Sequence, residues 1–397
     1  MYPRVTAIVV APSGGTSLQR TLDALAAQTR QPDAVIAVDC ASTDDAARLL
    51  ADAKPTQLLR SPEKLSFGTA IATAVRVLPP TTSSDELLWL LAHDTAPEPE
   101  ALAALIGALE VSPSVAVVGP KLVDAEDAAF IREFGESMTP FGASLPLVEN
   151  ELDQAQHDGL SDVLAVSAAG MLVRQPVWDA LDGFDPALPT VDSGLDFCTR
   201  ARLAGYRVTL VAQARVAVGG DGVAGPNLSR KWSVRRKLAG ERRRAQLHRR
   251  MVYAPGWALV PHWLSLVPLA ILRSIVRLLR KEPGSVGGEL GAAFRVAFSG
   301  MAVGNARRRL SRARTVGWAA IAPLRLPFAE VRRGRALKRE AAMVRQQGER
   351  QELDFWGTGG GWAVLAMLAV GVLLFYPLAG SGAITGRSTI AGADSSG

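Results

Sequence analysis

The sequence predicts an α/β protein: a mostly parallel sheet flanked by helices, followed by a basic helical membrane-associated region and a transmembrane helix. Three observations carry this. The first 228 residues alternate short β-branched apolar runs with helix-length amphipathic segments, the pattern of an open sheet covered on both faces. Charge divides the 397 residues unevenly: residues 1–228 hold 15 Lys/Arg against 29 Asp/Glu, residues 229–397 hold 29 against 9, and the net is +6. Finally, Gly361 to Gly380 is a run of 20 residues without a charge, roughly 30 Å long as a helix.

In chain order, VTAIVVA (Val5 to Ala11) is a strand ending in a Pro-Ser-Gly-Gly turn. Ser17 to Gln28 is a helix with Leu18, Leu22 and Leu25 on one face, and Ala34 to Asp39 is a second buried strand. Ser42-Thr43-Asp44 caps the next helix. Leu58 to Arg60 is a short strand, Thr69 to Val77 a helix, and Glu86 to Ala92 a fourth strand. A helix over Pro97 to Leu109 opens Pro-Glu-Pro-Glu, suited to a first turn. Val115 to Val123 is a fifth strand. Asp124 to Asp162 is irregular, acidic and too long for a turn, so a loop or small hairpin beside the ligand site is expected. Val163 to Arg174 is ordered, with Ala168-Ala169-Gly170 leaving room for a close approach. Trp178 lies on a short helix and reads as core, and Asp192 to Val211 is a helix followed by a strand. In such sheets ligands bind beyond the carboxyl ends of the strands, so Ala11, Pro12, Asp39, Arg60 and Asp94 are the positions to watch.

Composition excludes several classes. Hydrophobic residues make up 48% and charged residues 21%, which fits neither a disordered chain nor a coiled coil. Two cysteines exclude a disulfide scaffold and a Cys-built zinc site; Cys40 and Cys198 read as small buried residues. The apolar run at Val5 is too short for a signal-peptide core, and no basic region precedes it. In the basic half, Trp257 to Leu272 is broken by prolines and continues into Arg273, Arg277 and Arg280, an amphipathic segment suited to a bilayer surface. Clusters at Arg242-Arg243-Arg244, Arg307-Arg308-Arg309 and Arg332-Arg333-Arg335 precede the expected span, whose ends carry Trp362 and Tyr376. By the positive-inside tendency, everything before Gly361 is expected on the cytoplasmic side of the cell membrane. The aromatic residues lie in apolar runs rather than among the arginines, and no zinc-finger or RNP-type motif occurs, so lipid headgroups rather than nucleic acid are the expected partners. Four units result: 1–228, a basic region 229–356, a span 361–380 and a polar tail 381–397.

The ordered set VTAIVVAPSGG, LQRTLDALAAQTRQPDAVIAVDCASTD, LLWLLAHDTAPEPEAL, VAVVGPKLVD, VLAVSAAGMLVRQPVWDALDGFDPAL and LDFCTRARLAGYRV resembles the family 2 glycosyltransferases of the GT-A fold. It is most similar to their membrane-attached actinobacterial type, and it covers residues 3–226. The resemblance implies that residues 1–228 transfer a sugar, with inversion, from a nucleotide-sugar donor to a lipid-linked or polymeric cell-envelope glycan. It implies that Ala11 and Pro12 line the nucleoside groove and that Asp39 contacts the base. Asp94 would be the last carboxylate of the Asp-x-Asp motif, serving a divalent cation, Mg²⁺ or Mn²⁺, that neutralises the leaving diphosphate. Gly170 and Met171 would lie beneath the acceptor sugar, and Arg60 and Lys64 could pair with the diphosphate.

The chain departs from that pattern in three places. Ala92 stands where the first Asp of Asp-x-Asp belongs, leaving His93 as an alternative metal ligand beside Asp94. Ser193-Gly194 replaces the Glu-Asp pair that usually supplies the base, so Asp192, and after it Asp196, are the substitutes. No His follows the last strand; the only acid there is Asp221. These changes leave open an alternative, a degenerate transferase fold acting as a non-catalytic binding or assembly module. A Rossmann dehydrogenase is disfavoured, because the first turn reads APSGGTS and lacks G-x-G-x-x-G.

Overall fold

The computed structural model describes residues 3–188, 190–229, 231–327, 329, 332, 336, 362 and 364–370. The chain begins β1 (Arg4–Ala11), α1 (Gly15–Ala26), β2 (Ala34–Cys40), α2 (Ala46–Asp52), β3 (Gln57–Ser61), α3 (Phe67–Val75) and β4 (Glu86–Ala92). It continues with β5 (Thr95–Pro97), α4 (Ala101–Val111), β6 (Val115–Asp124), β7 (Phe130–Met138), β8 (Ser144–Val148) and β9 (Glu151–Leu152). Then come β10 (Leu172–Arg174), α5 (Gln175–Ala180), α6 (Ser193–Leu203) and β11 (Arg207–Val218). The strands join in the order β3-β2-β1-β4-β10-β6-β11-β5, with β7 branching from β6.

Strands β3, β2, β1 and β4 are parallel neighbours, as the alternation of apolar runs and helices predicts. Beyond them the sheet is mixed: β6 and β11 are parallel, while β10 and β5 run antiparallel. The three residues of β10 run antiparallel between β4 and β6, because the chain returns from the β7–β8 hairpin instead of through a crossover helix. That hairpin, with the two residues of β9, forms within the Asp124–Asp162 stretch. The helix expected from Pro97 begins only at Ala101. Thr95–Pro97 pairs with β11 instead, and the side chain of Gln28 accepts a hydrogen bond from the N–H of Leu102 at the helix start.

The core lies on both faces of the sheet. Ile8, Val10, Val38, Leu88 and Leu90 face one layer with α3 and α6, while Val9, Ala37, Trp89 and Leu91 face the other with α1 and α4. Trp178 is core, as expected: its ring stands against Phe184 and Phe197 at 4.7 and 4.9 Å. Gly183, at φ +59°, lies under that ring, where a Cβ would come within 2.9 Å of it. Cys40 and Cys198 are both buried, and burial pushes their thiols up to about 11 and about 12.

The basic half is helical: α7 (Trp232–Val252), α8 (Leu259–Leu264), α9 (Leu266–Leu279), α10 (Val286–Ala297) and α11 (Gly300–Ala313). Leu247 and Met251 of α7 and Leu310 of α11 join the same core as the sheet. Polar ties reinforce the contact. Asp185 accepts from Arg309 at 2.8 Å and shares a 2.9 Å hydrogen bond with His248, and Arg307 covers the last carbonyls of α7. Gly256–Leu264, which ends in α8, and α9 are bent by 46° at their junction, and together this pair is long and apolar enough to cross a membrane by length and composition alone. Only Leu266, Ala270 and Ser274 of α9 pack inward; Leu269, Ile271, Leu272, Ile275 and Leu279 are exposed. Among the described residues no single helix is long and apolar enough to span a membrane. Most of the expected span at 361–380 and all of the tail at 381–397 lie outside the described residues.

Candidate active site

The carboxyl edge of the parallel strands collects the polar residues. In the ladder Ala11 of β1 pairs with Asp39 of β2, Asp39 with Arg60 of β3, and Val10 with Ala92 of β4, so His93 and Asp94 emerge just beyond the same edge. Asp39 is buried and Oδ1 accepts from the N–H of Ser42, which fixes the turn after β2. The turn after β1 is tied to that one: the N–H groups of Gly14 and Gly15 donate to Asp44 and Asp45, each at 2.8 Å. The N–H of Gly14, with that of Ala46, holds the Asp44 carboxyl below its ordinary value. Pro12 is half-buried between the two turns; Arg60 and Lys64 are exposed, with no ion pair among the described residues.

His93 and Asp94 are both buried, and several elements converge on them. The N–H of His93 donates to Val10, its carbonyl accepts from Thr21 of α1, and its Nε2 lies 3.0 Å from a carboxylate oxygen of Asp221. The segment after β11 closes over the pair. Gly219 N–H donates to the Asp94 carbonyl at 2.8 Å, and Asp221 N–H to Asp94 Oδ2 at 2.9 Å. Gly220 makes this turn at φ +84°, with Leu228 so close that a Cβ would lie 2.5 Å from it.

Two polar atoms here are sealed from solvent without a partner: Asp94 Oδ1 and His93 Nδ1, 4.0 Å apart. Burial pushes the Asp94 carboxyl above its ordinary value, against the opposing pull of His93. A carboxylate oxygen is a ligand that Mg²⁺ or Mn²⁺ accepts when diphosphate and water complete the shell, and the imidazole nitrogen beside it suits the transition metal Mn²⁺ better than Mg²⁺. The residues therefore fit such an ion as partial ligands. Among the described residues there is no cluster of three or more His, Cys, Asp or Glu arranged to hold a metal alone.

The two base candidates lie at the start of α6. Asp192, at φ +59°, is the residue before α6, and its Oδ2 pairs with Nη2 of the fully buried Arg249 at 2.6 Å. Asp196, one turn on, is buried and doubly engaged, by Arg200 Nε at 2.8 Å and the Tyr253 hydroxyl at 2.6 Å. Gly170 and Met171 are buried just before β10, hydrogen-bonded to Leu90 of β4; Gly170 sits at φ +74° against Pro120, and Met171 reaches Gly194. A carboxyl pair on β7, Glu133 and Glu136, stands near Asp192, and each has one oxygen sealed without a partner.

Sequence reasoning missed Asp221, Arg249 and the Glu133–Glu136 pair as neighbours of these groups. The glycines around Asp221 signal a tight turn, but its pairing with His93 joins residues far apart in the chain. Arg249 sits in a run of arginines and nothing local distinguishes it.

A family model described as "Glycosyltransferase like family 2" matches residues 3–246, more than half of the chain. The chain belongs to this family. The glycosyltransferase is thus a transferase whose sheet is GT-A-like, mixed and flanked by helices. Among solved structures it is similar to mannosyltransferase PcManGT from Pyrobaculum calidifontis in complex with GDP-Man and Mn²⁺, at 16% identity, TM-score 0.45, over 76% of this chain and 88% of that one. It is similar to S. aureus TarS 1-349 at 13% identity, TM-score 0.39, over 78% and 89%. GalNAc-T7 with UDP, GalNAc and Mn²⁺ matches at 12% identity, TM-score 0.44; the glycosyltransferase covers 54% of its own length there and spans 43% of that chain. Among curated proteins no relative matches.

Proposed function

We propose that the glycosyltransferase moves a sugar from a nucleotide-sugar donor to a lipid-linked or polymeric cell-envelope glycan, with inversion, at the cytoplasmic face of the membrane. The observation that carries this is the unpartnered oxygen of Asp94 at the same strand edge as Ala11 and Asp39. The nucleoside lies across Pro12 and Asp39, and Arg60 and Lys64 face the diphosphate from the next strand. Asp94 and His93 would hold the divalent cation, which when bound neutralises charge on the leaving diphosphate. Asp192 takes the proton from the acceptor hydroxyl as that oxygen attacks the sugar, while Arg249 fixes the orientation of the carboxylate. Asp196, held by Arg200 and Tyr253, supports the helix that carries the base.

The exposed apolar face of α9, with Arg273, Arg277 and Arg280 beside it, is the surface that rests on anionic lipid. The span over 361–380 then anchors the chain, in the manner of the actinobacterial membrane-attached type. Sugar transfer from a panel of nucleotide sugars to extracted envelope lipid tests this reading. Turnover by the parent that falls by about 10²-fold or more in Asp192→Asn supports it. Donor binding without turnover by the parent supports the alternative, a non-catalytic module, which the engagement of both Asp192 and Asp196 by arginines favours.

A further inference from the structure

A second cavity-forming cluster lies away from the strand edge, between the β7–β8 turn and the end of α7. It encloses about 350 Å³. Three guanidinium groups line it, Arg249, Arg250 and Arg325, and none of the lining residues is acidic. Arg249 is fully buried; its Nε and Nη2 are spent on the carbonyl of Gly142 and on Asp192, while Nη1 is sealed without a partner. Nε of Arg325 is likewise sealed and unpartnered. Arg250 donates to His262 and Ser265, so the lining carries three positive charges and no carboxylate, a balance that an anion would offset. Burial holds Arg250 and Arg325 below the ordinary guanidinium value, and the nearby Arg273 adds to this at Arg250.

The walls are aromatic. Arg325 lies over the Trp318 ring at 5.0 Å and Arg250 over Phe141 at 5.7 Å, so the cations are held in place by their faces. The rim continues into apolar surface: Trp257 is 83% exposed, and Val260, Trp263 and Leu264 of α8 come next along it, also exposed.

We propose that this cavity binds the phosphomonoester or diphosphate group of a lipid, with the apolar chain leaving over Trp257 and α8. Arg249 would then bridge the bound phosphate and Asp192, so a lipid-linked acceptor held here is placed on the base side of the site. The assignment of the ligand as an acceptor rests on the proposed transfer reaction; the anion site itself does not.

The test compares binding of the full chain to vesicles bearing a phosphomonoester lipid, phosphatidic acid, with vesicles of equal surface charge bearing a phosphodiester lipid, phosphatidylglycerol. Inorganic pyrophosphate serves as the soluble competitor. The parent should prefer the phosphomonoester vesicles about tenfold, and Arg250→Gln and Arg325→Gln should each lose that preference. Nucleoside diphosphate binding, measured on the same samples, should be unchanged in both variants. Equal binding to the two vesicles by the parent, or an undiminished preference in both variants, overturns the site. So does capture of pyrophosphate with no preference between vesicles, which would make the ligand a soluble phosphate. Absence of nucleoside diphosphate binding in the parent, with the vesicle preference intact, would instead overturn the transferase reading and support the anion site alone.

Discussion

The backbone N–H of Asp221 donates to Oδ2 of Asp94 at 2.9 Å, latching the loop after the last strand onto the carboxylate at the end of β4. One carboxylate oxygen holds the loop and the other is buried without a hydrogen-bond partner. Gly219 and Gly220 make this possible, since Gly219 passes directly over Asp94 and Gly220 takes a backbone conformation with Leu228 packed against it. Gly220→Ala should loosen the latch, costing about 1–3 kcal/mol of stability and weakening nucleoside diphosphate binding. Denaturant unfolding with and without ligand measures both.

Asp192 and Asp196 separate by their partners. Asp192→Asn should lower turnover by about 10²–10⁴-fold while donor binding is retained, the loss expected for a general base. Asp196→Ala strands the buried Arg200, and should cost about 3–5 kcal/mol of stability. Single-turnover kinetics alongside equilibrium unfolding checks the pair. A stable Asp196→Ala protein would contradict the structural role given to it.

The Glu133–Glu136 pair gives a pH dependence. Burial, then the neighbouring Glu133, push the Glu136 carboxyl well above its ordinary value; Asp192 adds to this and Arg249 opposes it. A raised carboxyl favours the protonated form in the folded state. Its contribution is therefore fully present below the unfolded value and is lost as pH rises toward the folded one. Glu136→Gln, which keeps the neutral shape, should raise Tm relative to the parent at pH 7 and leave it little changed at pH 4. A thermal melt series across that range reads the difference.

Much of the fold is legible in local pattern. The parallel run β3-β2-β1-β4 emerges from apolar runs separated by amphipathic helices, and Asp39 and Asp94 stand out by their positions at the carboxyl ends of apolar strands. The parts that are not legible depend on distant partners. β5 forms where Pro97 meets Val216 of β11, so the local helix-start signal yields to a pairing more than a hundred residues away. The three-residue β10 carries no periodicity of its own. Arg249 looks like its neighbours in a basic run until the fold places Asp192 and Gly142 beside it. Local chemistry announces a turn, a cap or a strand end; it does not announce which buried arginine meets which carboxylate.

The exposed face of α9 makes a further expectation. Replacing Leu272, Ile275 and Leu279 with Ser removes apolar area that the fold leaves uncovered. At about 25 cal/mol per Å² buried, three such side chains should weaken vesicle association by well over tenfold. Since these residues point away from the core, Tm should hardly change. Vesicle sedimentation next to a thermal melt distinguishes a membrane-facing surface from a packed one.

Asp94→Asn is the most direct test of the central claim, because Asn keeps an oxygen for the Asp221 N–H while removing the charge. Calorimetric titration of the full chain with a nucleoside diphosphate, with and without Mn²⁺, should show Mn²⁺-dependent binding in the parent and its loss in Asp94→Asn, with Tm preserved. Undiminished Mn²⁺-dependent binding in Asp94→Asn would contradict the account.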